Sequence, residues 1–411
     1  MTIPSRATID TRRENVNQRL LFFYFGFSSL TLASRTPEIK HNLDVQNGIF
    51  GVLVSLSALG ALIAFTFVGQ MVHTIGVGPV LSVTSILLFG SISIIPHVHS
   101  IWKYTVLNII LGLSFNAHFI VLHDQAIRRQ LINRKKSIPS LHGSFSLGCL
   151  LTTILSLLIT PHVSLTWHVD ILMGILFIGT IHSIIRMRTF LIRGSKADEY
   201  GLPVSSTHVW SLLRSDRYIA IAYVCAVMVE FSTNDWITLL SHQENGASST
   251  LSIVPYLIFI VGMVTGRLGF HKLPGSKPDI FWIRISSRLG GIGFVAFLLL
   301  SKSFSHRNFA AAFAFETLAF LIGGLGGSFL AGVLTQIATE RSNLPAGMVV
   351  AQLSFALTVL TLLLRLMISV IIQLTSITFG LMIPGALMIA LSFFTQLGPP
   401  ASSSDSSSKV S

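Results

Sequence analysis

The sequence predicts an all-α integral membrane protein with twelve transmembrane helices, and three observations predict it. Of 411 residues, 51% are hydrophobic and 11% charged, with a mean hydropathy of +0.72. Soluble domains carry roughly 25% charged residues, and a soluble chain this apolar would expose aggregating patches. Long uncharged stretches follow one another along the chain, each long enough for the roughly 20 residues a spanning helix needs. Finally, Lys and Arg alternate in density from loop to loop. With the N-terminus inside, the inner segments hold 22 of the 28 basic residues and the outer loops 5, as the positive-inside rule requires. The net charge of +12 is thus a topology signal, and it leaves a nucleic-acid partner little to explain.

The spans follow in order. The first, 18–35, rests on the uncharged core from Leu20 to Ser34. That core also reads as a signal peptide with Leu32-Ala33-Ser34 as a poor cleavage site, but eleven further spans favour an uncleaved helix. Spans 49–72 and 77–96 fill the uncharged stretch from Val45 to Trp102. Spans 101–124, 138–161 and 167–186 complete the first six. After a polar, basic loop, spans 217–240, 250–267, 284–301, 309–334, 345–371 and 374–396 complete the second. Residues 1–190 and 217–397 form two six-helix halves around a cytoplasmic loop, 191–216. The Ser-rich tail 398–411 is expected to be solvated and disordered. Continuous rather than alternating apolar runs exclude a β-barrel. Cys149 and Cys225, the two cysteines, lie in apolar runs and say little about redox compartment.

Four segments carry a family resemblance. They are Ala33-Ser34-Arg35-Thr36-Pro37-Glu38-Ile39-Lys40 after span 1, the loop from Gly69 to Gly76, His142-Gly143-Ser144-Phe145-Ser146-Leu147-Gly148 in span 5, and Glu230 followed by Asp235-Trp236 in span 7. In order and at these spans they resemble the fucose-permease-like branch of the major facilitator superfamily over nearly the whole chain. The resemblance implies the major facilitator fold, in which the substrate sits between the halves near the midplane and the halves rock. It also favours a sugar-like solute. The gate loop departs from the superfamily pattern. Gly69 and Gly76 stand, but Gln70-Met71-Val72-His73-Thr74-Ile75 carries no acid and no Arg, so a weaker inner gate is expected. The acid that the branch often has in span 4 corresponds to Phe119 here.

Polar side chains inside the spans are the candidate site. A carboxylate at the bilayer centre costs about 3 kcal/mol on insertion scales and is usually functional or paired. Glu230 lies at mid-depth, and Asp235 is five residues further out beside Asn234 and Trp236. Their directions differ by roughly 140°, so they do not share one narrow face. Span 4 offers Asn116 and His123, seven apart on one face, and His118 beside the missing acid. Span 5 offers His142 and Ser146. Glu230, Asp235, His118 and His123 are candidates for proton coupling or substrate binding. Asn116, His142, Ser146, Asn234 and Trp236 are candidates for the substrate cavity. Glu316 reads as a solvated outer-vestibule residue, and Arg365 as the partner of Glu316 or Asp235. Trp102, Trp167 and Trp236 fall near outer interfaces and read first as belt anchors. His97 and His99 offer two metal ligands with no Cys or carboxylate nearby in sequence, so no metal site is expected.

No P-loop, G-x-S-x-G or H-E-x-x-H occurs, and no cofactor or enzyme activity is expected. The leading expectation is a monomeric secondary transporter in the cytoplasmic membrane, both termini cytoplasmic. It moves a small polar solute by alternating access, with protons as a candidate coupling ion and no nucleic-acid partner. Two alternatives stay open: an exporter of hydrophobic compounds, or a transport-inactive sensor or scaffold.

Overall fold

The computed structural model describes residues 11–133, 138–188, 191, 216–270, 277–305, 307–342 and 346–394, and every regular element among them is helical. The elements are α1 (Thr11–Ser29), α2 (Thr36–Leu43), α3 (Asn47–Ser55), α4 (Ser57–Ile75), α5 (Val77–Ile94), α6 (Ile101–Asn133), α7 (Ile138–Ile159), α8 (Leu165–Met187), α9 (Arg217–Gln243), α10 (Ile253–Phe270), α11 (Asp279–Phe304), α12 (Phe309–Gly327), α13 (Leu330–Arg341), α14 (Ala346–Leu374) and α15 (Ile377–Leu391). The central loop, apart from residues 191 and 216, and the tail lie outside the described residues. So do residues 134–137, within the basic stretch that begins at Arg128, and residues 271–276 after α10.

Nine described segments are long and apolar enough to cross a membrane. The remaining three predicted spans correspond to α1, α9 and α15. α1 opens on charged residues, α9 carries Glu230 and Asp235 within it, and α15 has 15 residues. Trp102 and Trp167 are 74% and 67% exposed, as belt anchors would be.

The first span differs from its prediction. α1 begins at Thr11 and stops at Ser29. A turn and a short 3-10 segment, Ala33–Arg35, then lead into α2. The local sequence explains the break. Pro37 sits in the first turn of α2, where its missing N–H costs nothing. The hydroxyls of Ser28, Ser29, Thr31, Ser34 and Thr36 donate to carbonyls three or four residues back. Such side chains re-satisfy backbone groups that a broken helix frees in the membrane. Arg35 is buried at the break. It holds Glu38, Thr160 Oγ1 (3.2 Å), His168 Nδ1 (3.2 Å) and the Val163 carbonyl (3.3 Å). The Ala33–Lys40 motif therefore works as a latch between the α1–α2 junction and the α7–α8 turn.

Small residues set the helix crossings. In lipid there is little hydrophobic force between helices, so close backbone approach carries association. A Cβ at Gly148, the last residue of the span 5 motif, would fall on the Phe23 carbonyl and the Phe27 amide of α1; one at Gly26 would fall on the Phe145 carbonyl of α7. The two glycines thus form one reciprocal crossing. Gly148→Val is expected to push α1 off α7 and to destabilise the protein by about 1–3 kcal/mol, the usual cost of overpacking. A thermal melt in detergent would read this as a lower midpoint, and an unchanged midpoint would remove the crossing from the account. Gly76 joins α4 to α5 at φ +93°, a conformation that favours glycine. This gives the gate loop's second glycine a backbone reason of its own.

Helices α1–α8 pack mainly among themselves, as do α9–α15. The two sets meet where α9 crosses α2, where α14 crosses α3 and α4, and where α10 crosses α7. The α3–α14 seam lies near the face that carries the turns around residues 44–46, 244–252 and 375–376. There the Gly48 amide donates to Gln373 Oε1 (2.7 Å), and Gln373 Nε2 donates to Gln46 Oε1 (2.6 Å). Gly51 packs against Ser369 and Trp236. Thr238 Oγ1 donates to the Ala33 carbonyl (3.2 Å). This face is closed. Two clefts of about 490 and 540 Å³ indent it from outside.

Candidate functional site

Two acid–arginine pairs on α9 behave in opposite ways. Asp235 meets Arg365 of α14 in a two-pronged contact, with Nε to Oδ2 at 2.7 Å and Nη2 to Oδ1. Their side chains are only 11% and 14% exposed. Glu230 meets Arg267 of α10 loosely, at 3.6 Å, and these side chains are 41% and 44% exposed. Among the described residues, Glu230 accepts no hydrogen bond. Arg267 Nε donates to the Ser328 carbonyl (2.9 Å), at the break between α12 and α13. One side of the guanidinium is thereby fixed and the other faces Glu230.

Helices of both sets approach this second pair. Glu230 comes from α9, Arg267 from α10 and Ser328 from the α12–α13 break, and Cys149 of α7 lies within Coulombic range of both charges. His142 of α7 also lies within Coulombic range of Arg267. The pair therefore lies between helices of both sets and is partly exposed there. Glu230 is the fourteenth of 27 residues in α9, about 20 Å from either end at 1.5 Å per residue.

Two histidines meet between α6 and α7. His123 Nδ1 donates to the Phe119 carbonyl (2.8 Å), and its ring stacks on Phe119 with centroids 3.8 Å apart. With His123 neutral, its Nε2 is left to accept, and His142 Nε2 stands 3.2 Å from it. Phe22 of α1 packs edge-on against both rings. Phe119, where the resemblance places an acid, is thus the shelf on which His123 rests. Ser146 is half-buried one turn from His142, on the same helix face.

The other predicted residues lie elsewhere. His118 is 1% exposed and bonds Thr84 Oγ1 of α5 (3.1 Å), which ties α5 to α6. Asn116 donates to the Gly112 carbonyl of its own helix (2.9 Å). Asn234 Oδ1 accepts from Tyr256 of α10 (2.9 Å). Trp236 is not a belt anchor. It is 3% exposed, edge-on to Phe50 and against Gly51 in the closed seam. Glu316 is not in a solvated vestibule: it is wholly buried and accepts from Ser241 and from Asn245 Nδ2 (2.7 Å). The turn after α9 and the start of α12 fold toward each other, so the position that depth alone made outer is interior. His97 does find a carboxylate, that of Asp170 at 2.9 Å, contributed by α8 rather than by nearby sequence. Among the described residues, no group of three or more His, Cys, Asp or Glu is placed to hold a metal. Asp124 pairs with Arg128 one turn on (2.8 Å), and Glu14 with Arg129.

Sequence reasoning missed Arg267. It closes the uncharged stretch from Asn245 to Gly266 and so reads as an end-of-span topology charge. A signal was present: an acid at the middle of span 7 calls for a basic group, and Arg267 ends the adjacent span.

Comparison with known proteins agrees with this architecture. The family model described as Major Facilitator Superfamily matches residues 20–344. An uncharacterized MFS-type transporter of Yersinia pestis is 21% identical over 348 residues, 83% of this chain and 84% of the relative. The membrane protein MosC of Rhizobium meliloti is 21% identical over 79% of this chain and 74% of its own length. Among solved structures, a D-xylose-proton symporter superposes with a TM-score of 0.68 at 13% identity, over 95% of this chain and 98% of that one. The nucleoside transporter NupG gives 0.67 at 13%, over 94% and 98%. These last two likenesses concern the fold alone. The chain belongs to the Major Facilitator Superfamily, and it is a multi-pass membrane transporter rather than an enzyme.

Proposed function

We propose that this transporter is a secondary carrier of the fucose-permease-like branch, moving a small, polar, sugar-like solute by alternating access with proton coupling. The observation that carries the reading is the loose Glu230–Arg267 pair. It stands partly exposed at mid-helix depth between helices of both sets, in what we read as a water-filled vestibule, and the α3–α14 seam is packed apart from it. An ionic pair left half-solvated inside a bundle is costly unless something binds there. Glu230 can carry a proton, and the His123–His142 couple offers a second polar wall. From the distribution of Lys and Arg we read both termini as cytoplasmic and the packed seam as the outer side, which makes this an inward-facing state, and we take the carrier to act as a monomer.

Reconstitution into liposomes loaded with an unlabelled solute of the sugar class, neutral or acidic, tests the reading. Counterflow of the same labelled solute with no net gradient, for at least one of them, is the expected result. Binding of sugar without counterflow would favour a sensor or scaffold, which the uncharged gate loop from Gly69 to Gly76 also suits. Counterflow of lipophilic cations alone would favour the exporter.

A further inference from the structure

We propose that the solute carries a single carboxylate, so that this carrier takes a polyhydroxylated carboxylic acid, a sugar acid, in place of a neutral sugar. The inference rests on the reading of the vestibule as a solute site and deepens it. Its ground is the unspent guanidinium of Arg267. Arginine presents five N–H donors in a planar fork that matches a carboxylate two-pronged. In Arg267 one donor is taken by the Ser328 carbonyl, which fixes the plane of the group. Glu230, at 3.6 Å, stands beyond a hydrogen bond. Arg365, which reaches α9 from α14 instead of from α10, shows what a saturated fork looks like here: both prongs on Asp235, and little exposure. Arg267 has the same chemistry, left open.

A neutral sugar offers hydroxyls, for which carboxylates and amides suffice. With Glu230 carrying its proton, as the carrier reading supposes, it would leave the guanidinium's charge unmatched. A monoanion matches it. The charge balance sets the upper limit: with Glu230 protonated, one guanidinium matches a single negative group, and a phosphate dianion would leave one charge unbalanced. Glu230 and the His123–His142 couple then serve the hydroxyl end, the two histidines meeting between α6 and α7 with His142 in Coulombic range of Arg267. The remaining ionisable neighbours are Cys149 of α7, Tyr223 of α9 and Tyr256 of α10, and none supplies a competing cation.

The test uses the purified full-length protein in detergent and matched probe pairs: glucose with gluconate, galactose with galacturonate, and glucose 6-phosphate as the dianion. Binding is read by thermal shift and then by titration. Wild type is expected to be stabilised by the monocarboxylates and not by their neutral partners. Arg267→Gln is expected to raise the Kd for the acid by about tenfold to a hundredfold, the loss of one charge-assisted hydrogen bond. Arg267→Lys is expected to recover part of the affinity by restoring charge without the fork. Because the wild-type preference is read without any variant, misfolding of a variant does not decide the matter. Neutral sugars binding as well as their acids, the phosphate binding best, or Arg267→Gln binding the acid like wild type would each overturn the inference while leaving the carrier reading intact. No shift with any probe would count against both.

Discussion

Glu230→Gln is expected to abolish solute accumulation driven by an imposed pH gradient while leaving exchange of solute across the same vesicles partly intact. The glutamine keeps the side chain's size and its hydrogen-bonding oxygen, so the vestibule keeps its shape. It removes the group that can exchange a proton beside Arg267. Exchange needs only that the loaded carrier reorient, whereas accumulation needs the proton to be bound and released each cycle. Paired assays on one preparation, uphill uptake at acid outside and counterflow at equal pH, separate the two. Equal loss of both would assign Glu230 a structural role.

The second large effect lies one and a half turns away. Asp235→Asn is expected to destabilise the protein by about 3–5 kcal/mol, the cost of leaving a buried charge without its partner. Arg365 is then the orphan, since both of its prongs reach Asp235. The double variant Asp235→Asn with Arg365→Met is expected to recover most of the loss, because an apolar side chain needs no counter-charge. The check is a comparison of melting midpoints for wild type, both single variants and the double. A single variant as stable as wild type would show that water reaches the pair. The contrast with Glu230 is structural: one pair holds α9 to α14 almost out of solvent, and the other joins α9 to α10 loosely.

Much of this was legible in the sequence, for reasons that particular residues show. Hydrocarbon forbids unpaired charge, so the uncharged stretch from Val45 to Trp102 had to be two spans, and α3–α4 and α5 fill it. The 100° step per residue already separated Glu230 from Asp235, and the structure gives them different partners on different sides of α9. The motif in span 5 marked both a wall residue, His142, and a crossing residue, Gly148.

What stayed hidden depended on partners distant along the chain. Ser241 and Asn245, which bury Glu316, lie 75 and 71 residues before it, and no local pattern ties them to it. Arg267 was read as a topology charge because depth along α10 says nothing of depth relative to α9. The break after Ser29 had its hydroxyls in view, but Ser and Thr also sit unremarked in continuous spans. Trp236 belonged to the seam because Gly51 makes room for it, a complementarity visible only once α3 and α9 are side by side.

The most direct test of alternating access is two-sided thiol labelling. In a background lacking Cys149 and Cys225, single cysteines replace Ser146, on the vestibule face of α7, and Ser369, buried in the α3–α14 seam beside Gly51. A water-soluble maleimide is applied with and without a transported solute, across a range of pH. The account predicts reciprocal changes: conditions that protect Ser146→Cys expose Ser369→Cys, and conditions that expose the first protect the second. Labelling of the two positions that rises and falls together, or a seam cysteine that stays protected while solute is being carried, would contradict it.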